Sequence, residues 1–218
     1  MIPLLLLAVA VAPSLDVQTE PYREAATTGA LGVVAGQAVA ESLRRGASPQ
    51  PVSDVAVMLV PRSEAFLGEL ESIRSQARRD MNAYRTSARA VTEARRVYER
   101  ALSKAGASEL VRATTVDPEG HFSVEGLPAG TWLLIAQRAV FVPKNPNTMS
   151  KRDRELFERR PQLTGYYAVT FWLRELTITP GQSTDVELTD RNAWMTGIAE
   201  ERLDAGPTGR RPERDRRY

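Results

Sequence analysis

The chain has 218 residues, with 29 Lys and Arg against 27 Asp and Glu, one His and no Cys. Without cysteine there is no disulfide, thiolate zinc site, thiol nucleophile or lipid-anchored N-terminal Cys, and one histidine excludes a multi-histidine metal site. A net charge of +2 gives no argument for nucleic acid, and 42% hydrophobic residues suffice for one decorated domain or two small ones.

Ile2 to Ala12 (IPLLLLAVAVA) is apolar and uncharged. At about eleven residues it is too short to cross a bilayer core of roughly 30 Å, so no transmembrane span is expected. It fits the hydrophobic region of a secretory signal, with small-x-small cleavage candidates at Ala8-Val9-Ala10 and Ala10-Val11-Ala12. No Lys or Arg precedes it, and a buried first strand or a mis-assigned start are the alternatives. Residues 1–12 are read as a signal peptide, which places the chain outside the cytoplasm, periplasmic or secreted. Residues 13–29 show neither helix nor strand period and are read as a flexible tether.

A domain over 30–200 follows. Pro51 to Pro61 reads as a strand, with Val55, Val57 and Leu59 alternating against Ala56, Met58 and Val60. Glu109 to Val116 reads as another. Asp117-Pro118-Glu119-Gly120 has the residues of a type I turn, and Thr179-Pro180-Gly181-Gln182 those of a type II turn, which needs φ > 0 at its third position. His121–Glu125, Thr131–Val142, the alternating stretch around Tyr167, Val169, Phe171 and Leu173, Ser183–Leu188 and Ala193–Glu200 complete the strand set. Short strands with Gly/Pro turns at close spacing indicate a sandwich or barrel.

Residues 64–105 break the pattern as a helical insertion. Apolar residues from Phe66 to Leu102 recur at steps of three, four or seven, which is helix periodicity. One helix of about forty residues would be roughly 60 Å long and would pull the flanking strands apart. A hairpin turning near Asp80-Met81-Asn82 returns the chain, with Asp80 as cap of the second helix. The unbroken seven-residue step Leu70, Ala77, Tyr84, Val91, Tyr98 argues for the single helix. The strands Val55–Val60 and Thr131–Phe141 are apolar on both faces, so something must cover the outer one; the insertion is the candidate. Residues 143–165 form a basic connection, in which Ser150 has the spacing to cap a short helix ending at Pro161. Residues 201–218, rich in Gly, Pro and Arg, are expected to be a disordered basic tail.

The run from Thr115 to Leu134 (TVDPEGHFSVEGLPAGTWLL) resembles the signature of carboxypeptidase regulatory-like domains, an Asp…Gly-x-Phe turn leading into a Leu-Pro-x-Gly-x-aromatic-x-Leu strand. The likeness extends over roughly residues 32–188, interrupted by the insertion and the connection. It implies a mainly β fold with an α insertion: a seven-stranded prealbumin-like (transthyretin-like) Greek-key sandwich plus a helical hairpin. Members are usually exported accessory modules. The motif residues are structural, so the resemblance supplies no catalytic residue, and a binding site is expected on the additions.

The candidate sites are few. His121 alternates outward with no second histidine or cysteine nearby, so catalysis through it is not expected. The transthyretin-like hydroxyisourate hydrolases use several histidines and a C-terminal Tyr-Arg-Gly-Ser, whereas this chain ends Asp215-Arg216-Arg217-Tyr218. Asp54, Asp117, Glu119 and Glu125 lack calcium-loop spacing. Tyr166, Tyr167 and Trp172 are candidates for a sugar-stacking platform or for core and seam. Arg152, Arg154 and Arg159 lie in a basic run diluted by Asp153, Glu155 and Glu158. The reading is an exported non-enzymatic module, without cofactor or metal, whose helical hairpin and basic connection form a protein-interaction surface in the cell envelope, with Arg152, Arg154, Arg159, Tyr166 and Trp172 as candidate contacts. The alternative is a carbohydrate-binding module using exposed strand aromatics.

Overall fold

Among the described residues the chain forms nine strands and three α-helices. The computed structural model describes residues 16–41, 48–143 and 162–203. In chain order the elements are α1 (Glu20–Thr27), β1 (Leu31–Ala40), β2 (Gln50–Pro51), β3 (Ala56–Pro61), α2 (Glu64–Ala77), α3 (Met81–Lys104), β4 (Arg112–Thr115), β5 (His121–Pro128), β6 (Gly130–Pro143), β7 (Gln162–Ile178), β8 (Ser183–Thr189) and β9 (Met195–Leu203). Seven strands were expected; β2, a two-residue bridge, and the short β4 are among the nine. The strand expected over Glu109–Val116 begins only at Arg112, because Ser108–Leu110 form a 3-10 turn.

The first sheet centres on β1, which pairs antiparallel with β5 and, at its end, with β2, and parallel with β8. The second is antiparallel throughout, in the order β4-β3-β6-β7-β9. The two sheets pack face to face. Val34, Ala38, Phe122, Val124, Val186 and Leu188 meet Val57, Leu59, Trp132, Leu134 and Ala136 in one buried cluster. A Cβ at Gly36 would collide with the Val186 carbonyl and the Phe122 ring, so β1 requires glycine there. Both predicted turns form. Gly120 N–H bonds the Asp117 carbonyl at 3.0 Å and His121 N–H bonds the Asp117 carboxylate at 2.7 Å. Gly181 takes φ +72° at the third position of its turn.

The insertion is a hairpin. Asp80 accepts hydrogen bonds from Asn82 N–H and Ala83 N–H at 2.8 and 2.9 Å, so its carboxylate starts α3 where α2 has ended. Phe66 near the start of α2 stacks on Tyr98 near the end of α3, ring centroids 4.5 Å apart, which requires the helices to run antiparallel. Leu70, Ala77, Val91 and Tyr98, four members of the seven-residue step, are all buried. The step therefore marks one seam shared by two helices.

The hairpin covers the outer face of the five-stranded sheet. By register, Met58, Val60, Leu133, Ile135, Val169 and Phe171 share that face, and all are buried. Ser87 and Ala88 lie against Gly197 of β9, and a groove joins Arg95 and Glu99 to Met58 and Ala113 at the β3–β4 edge. Eleven helical residues rise about 16 Å, which matches about 14 Å across three strand spacings, so α3 crosses the sheet. Burying these apolar side chains contributes roughly 1.5–3 kcal/mol each.

The tether expected over residues 13–29 is corrected in its second half. Pro21 starts α1, and Tyr22 closes one end of the sandwich. Its hydroxyl donates to the Thr131 carbonyl at 2.6 Å and its ring meets Trp132 edge-on at 5.4 Å. Asp16 joins the hairpin to this segment. The buried Ser63 caps α2 by accepting from Phe66 N–H and donates its own hydroxyl to Asp16, whose second oxygen accepts from Ala65 N–H at 2.9 Å. The expected signal peptide, the helix expected at Ser150 and the tail from residue 204 onward lie outside the described residues; residues 201–203, expected to open the tail, instead end β9.

Two predictions follow from the caps. Asp80→Ala lowers stability by about 1 kcal/mol in urea denaturation. Burial pushes the Asp16 carboxyl up, but hydrogen bonds from Ala65 N–H and the Ser63 hydroxyl outweigh it and hold its pKa below the ordinary 3.8. The native state thus binds this proton less readily than the unfolded chain. The stabilisation from Asp16 is present above about pH 4 and is lost as pH falls through the depressed native value. The gap in urea midpoint between wild type and Asp16→Asn is expected to stay constant from about pH 7 to 5 and to narrow towards pH 2.

Candidate interaction sites

Burial along β6 locates the first candidate surface. On the face towards the other sheet, Trp132, Leu134 and Ala136 are fully buried; Arg138 is half-buried and Val140 is 44% exposed. On the helix face, Leu133 and Ile135 are buried, Gln137 is half-buried and Phe141 is 40% exposed. The β6–β7–β9 ribbon therefore runs past both of its coverings. Residues 137–143 extend it by about 20 Å. Phe141 lies over Gly165 and meets Tyr167 at 5.2 Å between ring centroids. Tyr166 and Tyr167 are half-buried on this ribbon, as are Val142 and Ala168.

The residues singled out in the sequence are only partly brought together. Tyr166 is on the ribbon. Arg152, Arg154 and Arg159 belong to the connection that leaves at Pro143 and returns at Gln162, and they lie outside the described residues. Trp172 corrects an expectation. Its indole is 3% exposed and its N–H donates to the Thr189 carbonyl of the facing sheet at 2.8 Å. It fills the core between the sheets and offers no face to a sugar or a partner.

His121 stands on the open outer face of the four-stranded sheet, where β1 presents Ala35 and Gln37 and leaves a shallow groove of about 580 Å³. Asp185 and Glu187 also line it. Register sets His121, Gln37 and Glu187 in one row across β5, β1 and β8. Two strand spacings, about 9–10 Å, separate the outer members. The Gln37 side-chain amide, not the imidazole, reaches Glu187, at 3.5 Å. Among the described residues, no carboxylate bonds the imidazole to orient it as a base. Among the described residues, no three His, Asp or Glu side chains converge as a metal site, and no helix is long and apolar enough to cross a membrane.

Sequence reasoning passed over Trp194. It lies between β8 and β9, its backbone N–H bonded to the Phe171 carbonyl at 2.8 Å. Its indole N–H donates to Glu71 of α2 at 2.8 Å, and the Arg74 guanidinium sits 5.6 Å from its ring centre. Beside it a pocket of about 340 Å³ is lined by Arg74 and Arg78 of α2, Tyr84 of α3, and Asp190, Trp194 and Thr196. No local pattern signals this site, because its contributors are separated by more than a hundred residues.

No family model matches the chain, and no curated protein matches it. Among solved structures, a candidate carbohydrate-binding protein from Pseudomonas aeruginosa is similar at 18% identity over 80% of this chain and 97% of its own, with a TM-score of 0.39. A minor pilin of Streptococcus agalactiae is similar at 14% identity over 85% of this chain and 49% of its own, with a TM-score of 0.30. The pilus backbone protein of Streptococcus pneumoniae is similar at 13% identity over 73% and 41%, with a TM-score of 0.28. These similarities are too distant to assign a site.

The burial of Trp172 generates a prediction. Trp172→Ala removes a close-packed core ring and an interior hydrogen bond, and is expected to lower stability by about 3–5 kcal/mol in urea denaturation. Trp172→Phe is expected to lose less, because most of the volume is retained.

Proposed function

We propose that this chain is an exported, non-enzymatic module that mediates protein interaction in the cell envelope, built on a prealbumin-like Greek-key core of the carboxypeptidase regulatory-like kind. The observation that carries this reading is the projecting β6–β7–β9 ribbon, which leaves Val140 and Phe141 exposed on opposite faces beside Tyr166 and Tyr167. Contiguous exposed apolar and aromatic side chains mark interaction surfaces, and Phe, Tyr and Arg are the types enriched at interface centres. The connection bearing Arg152, Arg154 and Arg159 joins β6 to β7 at this same end.

The family part of the reading draws support from residues in the roles the resemblance implies. Asp117 and Gly120 make the turn, Phe122 and Trp132 fill the core, and the Trp132 indole donates to the Pro128 carbonyl at the corner, at 2.9 Å. The non-enzymatic part is supported by the open position of His121, with Gln37 between it and Glu187.

The test is co-isolation from envelope extract with the double variant Val140→Asp, Phe141→Asp. Both residues lie past the helical cover and the facing sheet, so the variant is expected to stay folded, with a urea midpoint lowered only by loss of the Phe141–Tyr167 contact. A partner recovered by wild type is expected to fall at least tenfold. Equal recovery by both proteins would overturn the reading.

A further inference from the structure

The Trp194 pocket has the chemistry of a small-ligand site, separate from the ribbon and not dependent on it. It forms where the α2–α3 turn overhangs the start of β9, and about 340 Å³ puts it at the lower end of ligand-pocket volumes, enough for one or two small rings. The indole is fixed before any ligand arrives. Glu71 holds its N–H, Arg74 packs against the ring, and Glu71 pairs with Arg74 at 3.4 Å. Such preorganisation removes part of the ordering entropy from binding.

The side chains of Arg78 and Asp190, both exposed, make no hydrogen bond or ion pair among the described residues. The half-buried Tyr84 ring and the Thr196 hydroxyl complete the rim. A guanidinium and a carboxylate, each without a partner among the described residues, flank an aromatic wall. The carboxylate opposes a phosphate or other strong anion, and Arg74 is already neutralised by Glu71. The polar rim opposes a purely apolar guest. A neutral ring with an apolar C–H face and a fringe of hydroxyls satisfies both halves, the face against the indole and the hydroxyls towards Arg78, Asp190, Tyr84 and Thr196.

We propose that the pocket between the α2–α3 turn and β9 binds a neutral saccharide unit, with Trp194 as stacking wall and Arg78 and Asp190 as hydroxyl partners. The chain contains a readout for this site. Of its three tryptophans, Trp132 and Trp172 are buried at 0% and 3% exposure, so the half-buried Trp194 is the indole a ligand can reach.

Glucose, galactose, N-acetylglucosamine, maltose and cellobiose are titrated into the full chain, following tryptophan fluorescence and saturation-transfer NMR. At least one is expected to give a saturable fluorescence change with Kd in the millimolar range or tighter. Arg78→Ala and Asp190→Asn, whose side chains make no hydrogen bond or ion pair among the described residues, are each expected to weaken binding about tenfold with unchanged urea midpoints. Three results would overturn the proposal: no saturable change with any of the five sugars, binding unaltered in both variants, or inorganic phosphate competing more strongly than the sugars. The last would reassign the pocket to anions.

Discussion

A β-sheet that is apolar on both sides cannot stand against water, and the rest of this molecule is arranged around that constraint. β3, β6 and β7 carry large apolar residues at consecutive positions, so one face packs on the other sheet and the second needs its own cover. α3 supplies it by crossing from β9 to the β3–β4 edge. Gly197 sets the closeness of the approach, since any side chain there would meet Ser87 and Ala88. Where the helical cover ends, near Gln137, the strands run on past it, because helices that cross a sheet shield only part of the length of its strands.

The cover is held at its ends by polar interactions as well as by its seam. Asp80 begins α3 and Ser63 begins α2, and Asp16 bonds both Ser63 and the next free amide. A segment from before β1 thus ties down the start of an insertion almost fifty residues later. The Tyr98 hydroxyl donates to the Pro61 carbonyl at 2.8 Å; burial, and then the negative charge of Asp16, push its phenol pKa up, so it stays a neutral donor. Arg62 performs the corresponding service at the surface, bridging Glu64 of α2 to Glu175 of β7. Exposed pairs of this kind contribute little individually; their effect here is to fix orientation where α2 leaves the sheet.

The same arrangement determines which aromatic residues can meet a ligand. Trp132 and Trp172 are used up between the sheets, each with its indole N–H spent on a backbone carbonyl. Trp194 bonds a side chain of the insertion instead, and so stands at a junction that exists only because the hairpin is folded down. The open face around His121 lacks such a junction: its polar residues come from three neighbouring strands at fixed ladder spacings that keep imidazole and carboxylate apart.

Local chemistry was legible in the sequence wherever it is decided by neighbours along the chain. The Asp117 and Pro180–Gly181 turns, the helix period of the insertion, its break at Asp80 and the need for a cover over two-faced strands could all be read before any coordinates, because turn geometry, capping and side-chain period act over a few residues. The parallel pairing of β1 with β8, the closure of the sandwich by Tyr22, the clamp from Asp16 and the burial of Trp172 could not. Each joins residues distant in the chain, and period-2 alternation states that a strand has two faces without stating what lies against either. For the same reason Tyr166 and Trp172, on one face of one strand, could not be told apart in the sequence as surface and core, and Trp194, which gains its partners Glu71 and Arg74 only when helix and sheet meet, was left to the tertiary structure.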